Sequence, residues 1–226
     1  WPLSQLMGCE YHLKCENFQP VGAFKVRGGV NLVGNLEAAA KSAGVISAST
    51  GNHGQSIAYA SRLFGTNCVV VVPHGANLLK VESMEILGAK VHFHGQMFED
   101  AHEHAERLAG ERGMRYVHPA NEPLLIAGVA TEILEVLEAA PGLEVLFVPL
   151  GGGSTAAGAC TVVKTANPQI RTIAVQSTQA PAGYHSWKEQ RIQEAPMQTV
   201  AEDWLPEVAM NYPSLSYGST STSLSW

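Results

Sequence analysis

The chain has 226 residues, of which 46% are hydrophobic, so it is long enough for one substantial core or two smaller lobes. Only 15% of the residues are charged and the formal net charge is -6, which argues against a nucleic-acid-binding protein because that class presents a basic face. The sequence contains no apolar run of the roughly 20 residues that a membrane-spanning helix needs, and we expect neither a signal peptide nor a membrane partner.

The four cysteines, Cys9, Cys15, Cys68 and Cys160, form no CxxC pair and have no metal-ligand spacing. Scattered cysteines in a chain of this kind are typical of a reduced cytoplasmic protein, although the sequence alone leaves disulfides open. The first residue is Trp1 and not a methionine, so we expect the natural start to be missing.

Taken in chain order, the hydrophobic pattern predicts strands at 10–15, 45–49, 68–72, 90–94, 115–118, 144–150 and 171–176. It predicts helices at 24–43, 56–64, 77–87, 98–112, 124–139 and 155–165. Strands and helices alternate with short connections, which indicates a mostly parallel sheet with helices on both faces. Ligands bind at the carboxyl ends of the strands in such sheets.

The stretch QPVGAFKVRGG at 19–29 places Lys25 just after a Pro/Gly turn, between Phe24 and Val26. A single lysine is ordinarily a solvated surface residue. In an apolar pocket, however, the ammonium group loses hydration, its pKa falls, and the amine can act as a nucleophile or base. Lys25 is therefore a candidate to bind an aldehyde cofactor such as pyridoxal phosphate.

A glycine-rich loop, formed by Gly151, Gly152, Gly153 and Ser154, follows a predicted strand and opens a predicted helix. Glycines let backbone N–H groups approach an anion, the helix N-terminus adds a partial positive charge, and Ser154 adds a hydroxyl donor. The alternative is a tight turn without a ligand, which rarely needs three successive glycines. We predict that this loop binds phosphate.

The stretch STGNHGQ at 49–55 also follows a strand and precedes a helix. Its backbone N–H groups and the hydroxyls of Ser49 and Thr50 could hold a carboxylate, and Asn52 could reach the phenolate of a cofactor. Helix capping by Ser, Thr or Asn is the alternative, and the stretch by itself does not decide between them.

Two histidine pairs are candidates for a zinc site. His92 and His94 lie on one face of a predicted strand, whereas His102 and His104 do not share a face of their helix. Exposed polar faces explain these residues better, so no metal is predicted.

The segment 211–226 is rich in Ser and Thr and has neither helical nor strand periodicity. One interpretation is a disordered terminus. The other is a frameshift near codon 203, because reading the codons out of frame from Glu202 allows a more globular sequence. Nucleotide sequence across that codon would decide between them.

Three stretches together resemble the pyridoxal-phosphate-dependent β-family (fold type II, the tryptophan synthase β-like group), and within it the threonine and serine dehydratases. The stretch from Lys14 to Gly28 resembles the family motif K-x-E-N-x-Q-P-x-x-S/A-F-K-x-R-G. The stretch 49–55 resembles S-x-G-N-H-x-Q, and PLGGGS at 149–154 resembles P-x-G-G-G-G. The resemblance extends over about 2–177.

This resemblance implies an α/β fold with two lobes, each a mostly parallel three-layer αβα sheet, that is incomplete at the C-terminus. The large cofactor-binding lobe would comprise 1–29 and 116–202, and the small lobe 30–115. The segment 203–226 would be the frameshifted or disordered tail. The resemblance also leaves a homo-oligomer open.

The resemblance implies a role for each motif residue. Lys25 would hold pyridoxal 5'-phosphate and move the Cα proton, Phe24 would pack beside its ring, and Asn52 would bind its ring oxygen. The phosphate would be bound by Gly151, Gly152, Gly153 and Ser154, and the substrate carboxylate by Ser49, Thr50, Gly51 and His53. The reaction would be dehydration and deamination of a small amino acid, L-threonine or L-serine, to a 2-oxo acid and ammonia.

Departures from the family pattern leave alternatives open. Thr50 stands where serine racemase uses a hydroxyl as acid and base, but its methyl group would crowd that site. Gln176 stands where many members have a glutamate that helps to bind a divalent cation, so no metal is implied. One alternative is β-replacement or threonine synthase chemistry, although His53 and the glycine-rich loop favour a dehydratase. The other alternative is a truncated, inactive remnant.

Overall fold

The computed structural model describes residues 2–195 and 223–224. The helices are α1 (Pro2–Met7), α2 (Lys25–Gly34), α3 (Ala38–Ala43), α4 (Asn52–Phe64), α5 (Leu78–Ile86), α6 (Phe98–Arg112), α7 (Pro123–Ala139), α8 (Ser154–Ala166) and α9 (Ala182–Glu189), with a 3₁₀ turn at Glu16–Phe18. The strands are β1 (Val45–Ala48), β2 (Cys68–Val72), β3 (Lys90–Phe93), β4 (Arg115–Tyr116), β5 (Val145–Pro149), β6 (Arg171–Val175) and β7 (Ser223–Leu224).

The first sheet has the strand order β3-β2-β1-β4, and all its pairings are parallel. Its central strands, β1 and β2, are buried throughout because helices cover both faces. Val70 packs in one core cluster with Leu32 of α2 and Ile57 of α4. On the opposite face Val71 packs in a second cluster with Ala105 of α6. The predicted three-layer arrangement with parallel strands is confirmed in this sheet.

The second sheet has the order β5-β6-β7 and is also parallel among the described residues. Its core joins Val148 of β5 to Ile133 of α7 and Ala159 of α8. Helix α7 packs against α8 and also against α2, so it connects the two sheets. The two sheets therefore meet through the helix that follows β4, and the lobe boundaries given above stay a prediction.

Most predicted elements differ from the observed ones by one or two residues at their ends, where helices and strands commonly fray. The strand at 68–72 and the helix at 98–112 coincide with β2 and α6. Helix α3 ends at Ala43, where the helix predicted at 24–43 was expected to end. The four cysteines are free.

Three predicted elements are wrong. The segment 10–15 is not a strand, because its residues are exposed and pair with no strand in the described part of the chain. The helix predicted at 24–43 is two helices, since the side-chain amide of Asn35 donates to the Asn31 carbonyl oxygen at 2.7 Å and Glu37 is extended. Helix α4 begins at Asn52, four residues before the predicted start.

Helices α1 and α9 and the 3₁₀ turn were not predicted. The frameshift or disorder predicted for 203–226 lies outside the described residues, apart from Ser223–Leu224, which pair with β6. Among the described residues, no helix is both long and apolar enough to cross a membrane.

Candidate active site

Lys25 is the first residue of α2 and contacts the glycine-rich loop although 129 residues separate them in the chain. Its Nζ atom donates a hydrogen bond to Ser154 Oγ at 2.8 Å. The same nitrogen lies over the ring of Phe24, 5.1 Å from the ring centroid. The structure therefore brings the predicted amine and the predicted phosphate loop together.

The glycine-rich loop joins β5 to α8. Gly153 has φ 89°, a left-handed conformation that glycine adopts without strain, and α8 begins at Ser154. Thr155 follows, and its buried Oγ1 has no hydrogen-bond partner among the described residues. The loop thus offers backbone N–H groups, the Ser154 hydroxyl and a helix N-terminus, and the unsatisfied hydroxyl of the next residue also suits a bound oxyanion.

The residues present fit a phosphate ester that also carries an aldehyde. The Lys25 amine supplies the group that reacts with an aldehyde, and the start of α8 supplies the anion site. Thr155 was missed because only its burial, which the sequence does not reveal, distinguishes it from an ordinary helical threonine.

The second motif lies at the start of α4. Ser49 Oγ accepts hydrogen bonds from the N–H groups of Gly51 at 3.1 Å and Gly54 at 2.9 Å, so the capping interpretation holds for this residue. Thr50 is exposed, and the Asn52 side chain accepts from Gln55 Nε2 at 3.3 Å. Capping by Ser49 leaves the Thr50 hydroxyl as the more accessible one in this turn.

Helices α2 and α4 are joined beside Lys25. Ser56 Oγ donates to the Lys25 carbonyl oxygen at 2.6 Å. His53 is buried in the first turn of α4, and burial, with the charges of Lys25 and His118, lowers its pKa to about 3. The three motifs therefore meet around the N-terminus of α2, and His53 is neutral at neutral pH.

A charged network fixes α2 to α7. The Arg27 guanidinium donates two hydrogen bonds to Glu16, at 2.7 and 2.9 Å, and two to Glu135, both at 2.7 Å. Lys14 also donates to Glu135. Hydrogen bonds from Arg27 and Lys14 lower the pKa of Glu135 to about 2. Lys14, in the segment predicted as a strand, and Glu16, in the 3₁₀ turn, thus join the network that holds the helix beginning with Lys25.

We expect Arg27→Lys to destabilise the fold by about 2 kcal/mol, because an ammonium group cannot donate to both carboxylates in the paired geometry of a guanidinium. Urea unfolding measures this loss. Arg107→Lys is the matched control, since its pair with Glu111 is exposed and contributes little. Equal stability of the Arg27 variant and the wild type would contradict the network's role.

Glu132 of α7 is a buried carboxyl group that the sequence did not single out. Burial, and then the charge of Glu16, raise its pKa from 4.5 to about 7, although Arg27 and other cations oppose the rise. A raised pKa means that the folded protein binds the proton more tightly than the unfolded chain does. The folded state therefore tolerates Glu132 best when it is protonated, at a pH below the pKa of the group in the unfolded chain. The free energy of unfolding falls as the pH rises through about 7.

We therefore expect Glu132→Gln to raise the free energy of unfolding by about 2 kcal/mol at about pH 8 and by little at about pH 4.5. Urea unfolding at both pH values checks this, with Glu138→Gln, on the same helix, as the control. A gain that does not change with pH would show that ionisation of Glu132 is not its cause.

The histidines show two arrangements. The rings of His94 and His104 stack with centroids 3.8 Å apart, and the His102 ring meets His118 edge-on at 5.9 Å. His94 thus contacts α6 through a ring stack. Among the described residues, no group of three or more His, Cys, Asp or Glu side chains is placed to hold a metal ion.

Comparison with known proteins gives consistent matches. The profile of a family described as "Pyridoxal-phosphate dependent enzyme" matches residues 2–215. An L-threonine ammonia-lyase from Thermotoga maritima is 40% identical over 180 residues, which are 80% of this chain and 45% of that protein. The processed form of threonine deaminase isoform 2 from Solanum lycopersicum superposes with a TM-score of 0.90 at 30% identity, covering 95% of this chain and 63% of that one.

A maize serine racemase structure also superposes with a TM-score of 0.90 at 30% identity, over 95% of this chain and 66% of that one. The chain spans about half the length of the curated relatives it matches. The matches confirm the resemblance drawn from the three motifs, the fold class, and pyridoxal phosphate as the cofactor of the family.

Proposed function

Because this chain belongs to the family of pyridoxal-phosphate dependent enzymes, we propose that it acts in the dehydration and deamination of L-threonine or L-serine to a 2-oxo acid and ammonia. The relative from Thermotoga maritima and the structure from Solanum lycopersicum carry the names of enzymes of this class. The observation that carries the proposal is the contact of the Lys25 amine with the first residue of α8.

Each residue of the three motifs takes a part in this proposal. Lys25 holds the cofactor and moves a proton at the substrate Cα. Phe24 packs beside the cofactor ring, and Asn52 donates to its oxygen. The phosphate is bound by Gly151, Gly152, Gly153, Ser154 and also Thr155. Pyridoxal phosphate, when bound, supplies an electron sink for the electron pair left at Cα.

The start of α4 is the proposed substrate-binding turn. The Gly51 and Gly54 N–H groups donate to Ser49, so other backbone N–H groups of this turn bind the amino acid carboxylate, favoured by the partial positive charge of the helix N-terminus. Ser49 holds this turn in shape through its two hydrogen bonds. The exposed Thr50 hydroxyl is the remaining polar group of the turn that can exchange a proton with the substrate.

The test is an assay of the full chain, saturated with pyridoxal phosphate, on L-threonine and on L-serine. We expect 2-oxobutanoate from threonine or pyruvate from serine, with an equal amount of ammonia. Each turnover loses one water from the amino acid and then consumes one in the hydrolysis that releases ammonia and the oxo acid. A β-replacement product without oxo acid would favour the alternative chemistry. No product from either substrate, with the cofactor bound, would contradict the proposal.

A further inference from the structure

Ser47 is a fully buried polar residue in β1, and its hydroxyl lies between two groups. Ser47 Oγ is 2.7 Å from the carbonyl oxygen of Val117, the residue after β4. It is also 2.9 Å from Nε2 of His53, in the first turn of α4. A single hydroxyl group thus links β1, the end of β4 and the proposed substrate-binding turn.

The hydrogen atoms at this contact can be placed by counting donors. The hydroxyl carries one hydrogen, and a carbonyl oxygen only accepts, so Ser47 donates to Val117. The carbonyl oxygen of Ala48, at 3.4 Å, is also only an acceptor and does not change this assignment. The Ser47 lone pair must then face a donor, so His53 Nε2 carries the ring hydrogen. Nδ1 is left with a bare lone pair in the neutral ring.

The second ring nitrogen has no proton to offer. His53 Nδ1 is buried and has no hydrogen-bond partner in the described part of the chain. Burial, followed by the charges of Lys25 and His118, keeps the ring neutral by lowering its pKa to about 3, against a smaller opposing effect of the Val117 carbonyl. A bare ring nitrogen repels a carboxylate oxygen, because both atoms are acceptors.

We propose that Ser47 is a positioning residue that holds His53 as the neutral Nε2–H tautomer, so that the carboxylate of an amino acid is bound by backbone N–H groups of the turn and not by the imidazole ring. The proposal deepens the proposed function and rests on it only for the identity of the carboxylate. The ring of His53 then serves as a hydrogen-bond acceptor, and His53 contributes to carboxylate binding through its backbone N–H.

The test is ¹⁵N NMR of the full chain with ¹⁵N-labelled histidine and saturating pyridoxal phosphate, with His53→Gln identifying the His53 signals. We expect a protonated Nε2 and a bare Nδ1 that do not change from about pH 5 to about pH 8. We expect Ser47→Ala to lose this single pattern and Ser47→Thr, which keeps the hydroxyl, to retain it. Ser61→Ala removes another buried serine hydroxyl and should leave the His53 signals unchanged.

Adding L-alanine, an amino acid without a β-hydroxyl leaving group, tests the carboxylate. We expect Nδ1 to stay bare when it binds. A protonated Nδ1 in the wild type, a proton gained there with L-alanine, or an unchanged pattern in Ser47→Ala would each overturn the proposal. The signals do not depend on turnover, so a chain that shows the expected pattern but forms no oxo acid would contradict the proposed function alone.

Discussion

Lys25→Ala is expected to lower oxo acid formation by about 10³-fold or more, because we propose that Lys25 both holds the cofactor and moves the Cα proton. The visible absorbance of lysine-bound pyridoxal phosphate should disappear from the same variant. Lys25→Arg should not restore either property, since a guanidinium group stays protonated and does not react with an aldehyde at neutral pH. Steady-state assay and absorbance spectroscopy measure the two effects separately.

Lys41→Ala is the matched control for this experiment. Lys41 is also partly buried, and its Nζ atom lies over the Phe64 ring, 5.5 Å from the centroid, and donates to the Gly34 carbonyl oxygen at 2.7 Å. It therefore resembles Lys25 in surroundings but has no contact with the glycine-rich loop. Comparable losses in both variants would mean that Lys25 acts through stability and not through chemistry.

Gly128→Ala is expected to destabilise the fold by about 3 kcal/mol, because α2 and α7 are too close for a side chain at this position. A Cβ atom there would lie 2.7 Å from Asn31 Cβ and would clash with the carbonyl oxygen of Arg27. Backbone cannot move aside as a flexible side chain can, so the helices must separate. Since α2 begins with Lys25, we also expect weaker cofactor binding in this variant.

Gly110→Ala, also in a helix, is expected to stabilise the fold and is the control for Gly128→Ala. Gly110 lies in α6, is exposed, and has no atom within 4 Å of an added Cβ. Alanine is favoured over glycine in a helix by up to about 1 kcal/mol, so this variant should be slightly more stable than the wild type. Urea unfolding of both variants tests the contrast, and equal changes would argue against a close approach at Gly128.

Local sequence patterns predict the central elements of this fold well. The run CVVVV is recognisable as a buried parallel strand because both its faces are covered, and β2 coincides with it. The same reasoning fails at 10–15, where the residues alternate but none of the described strands pairs with them. The single helix predicted at 24–43 is wrong because α2 ends before Asn35 and the extended Glu37 separates it from α3.

The arrangement of the candidate active site is harder to predict from sequence than the fold. The glycines of the loop suggest phosphate binding, and the apolar neighbours of Lys25 suggest a reactive amine. Only the resemblance to a family assigns both to one cofactor site. No local pattern, however, relates Ser154 to a lysine 129 residues earlier. Ser47 and Glu132 become informative only through burial and the charges around them, which depend on packing between distant elements.

The most direct test of the active site is borohydride reduction of the full chain after incubation with pyridoxal phosphate, followed by peptide mass spectrometry. We expect the reduced cofactor on Lys25. We also expect inorganic phosphate to compete with the labelling, because we propose that the start of α8 binds the cofactor phosphate. Labelling spread over exposed lysines such as Lys90 and Lys164, with no effect of inorganic phosphate, would contradict the central claim that this amine and this loop form one cofactor site.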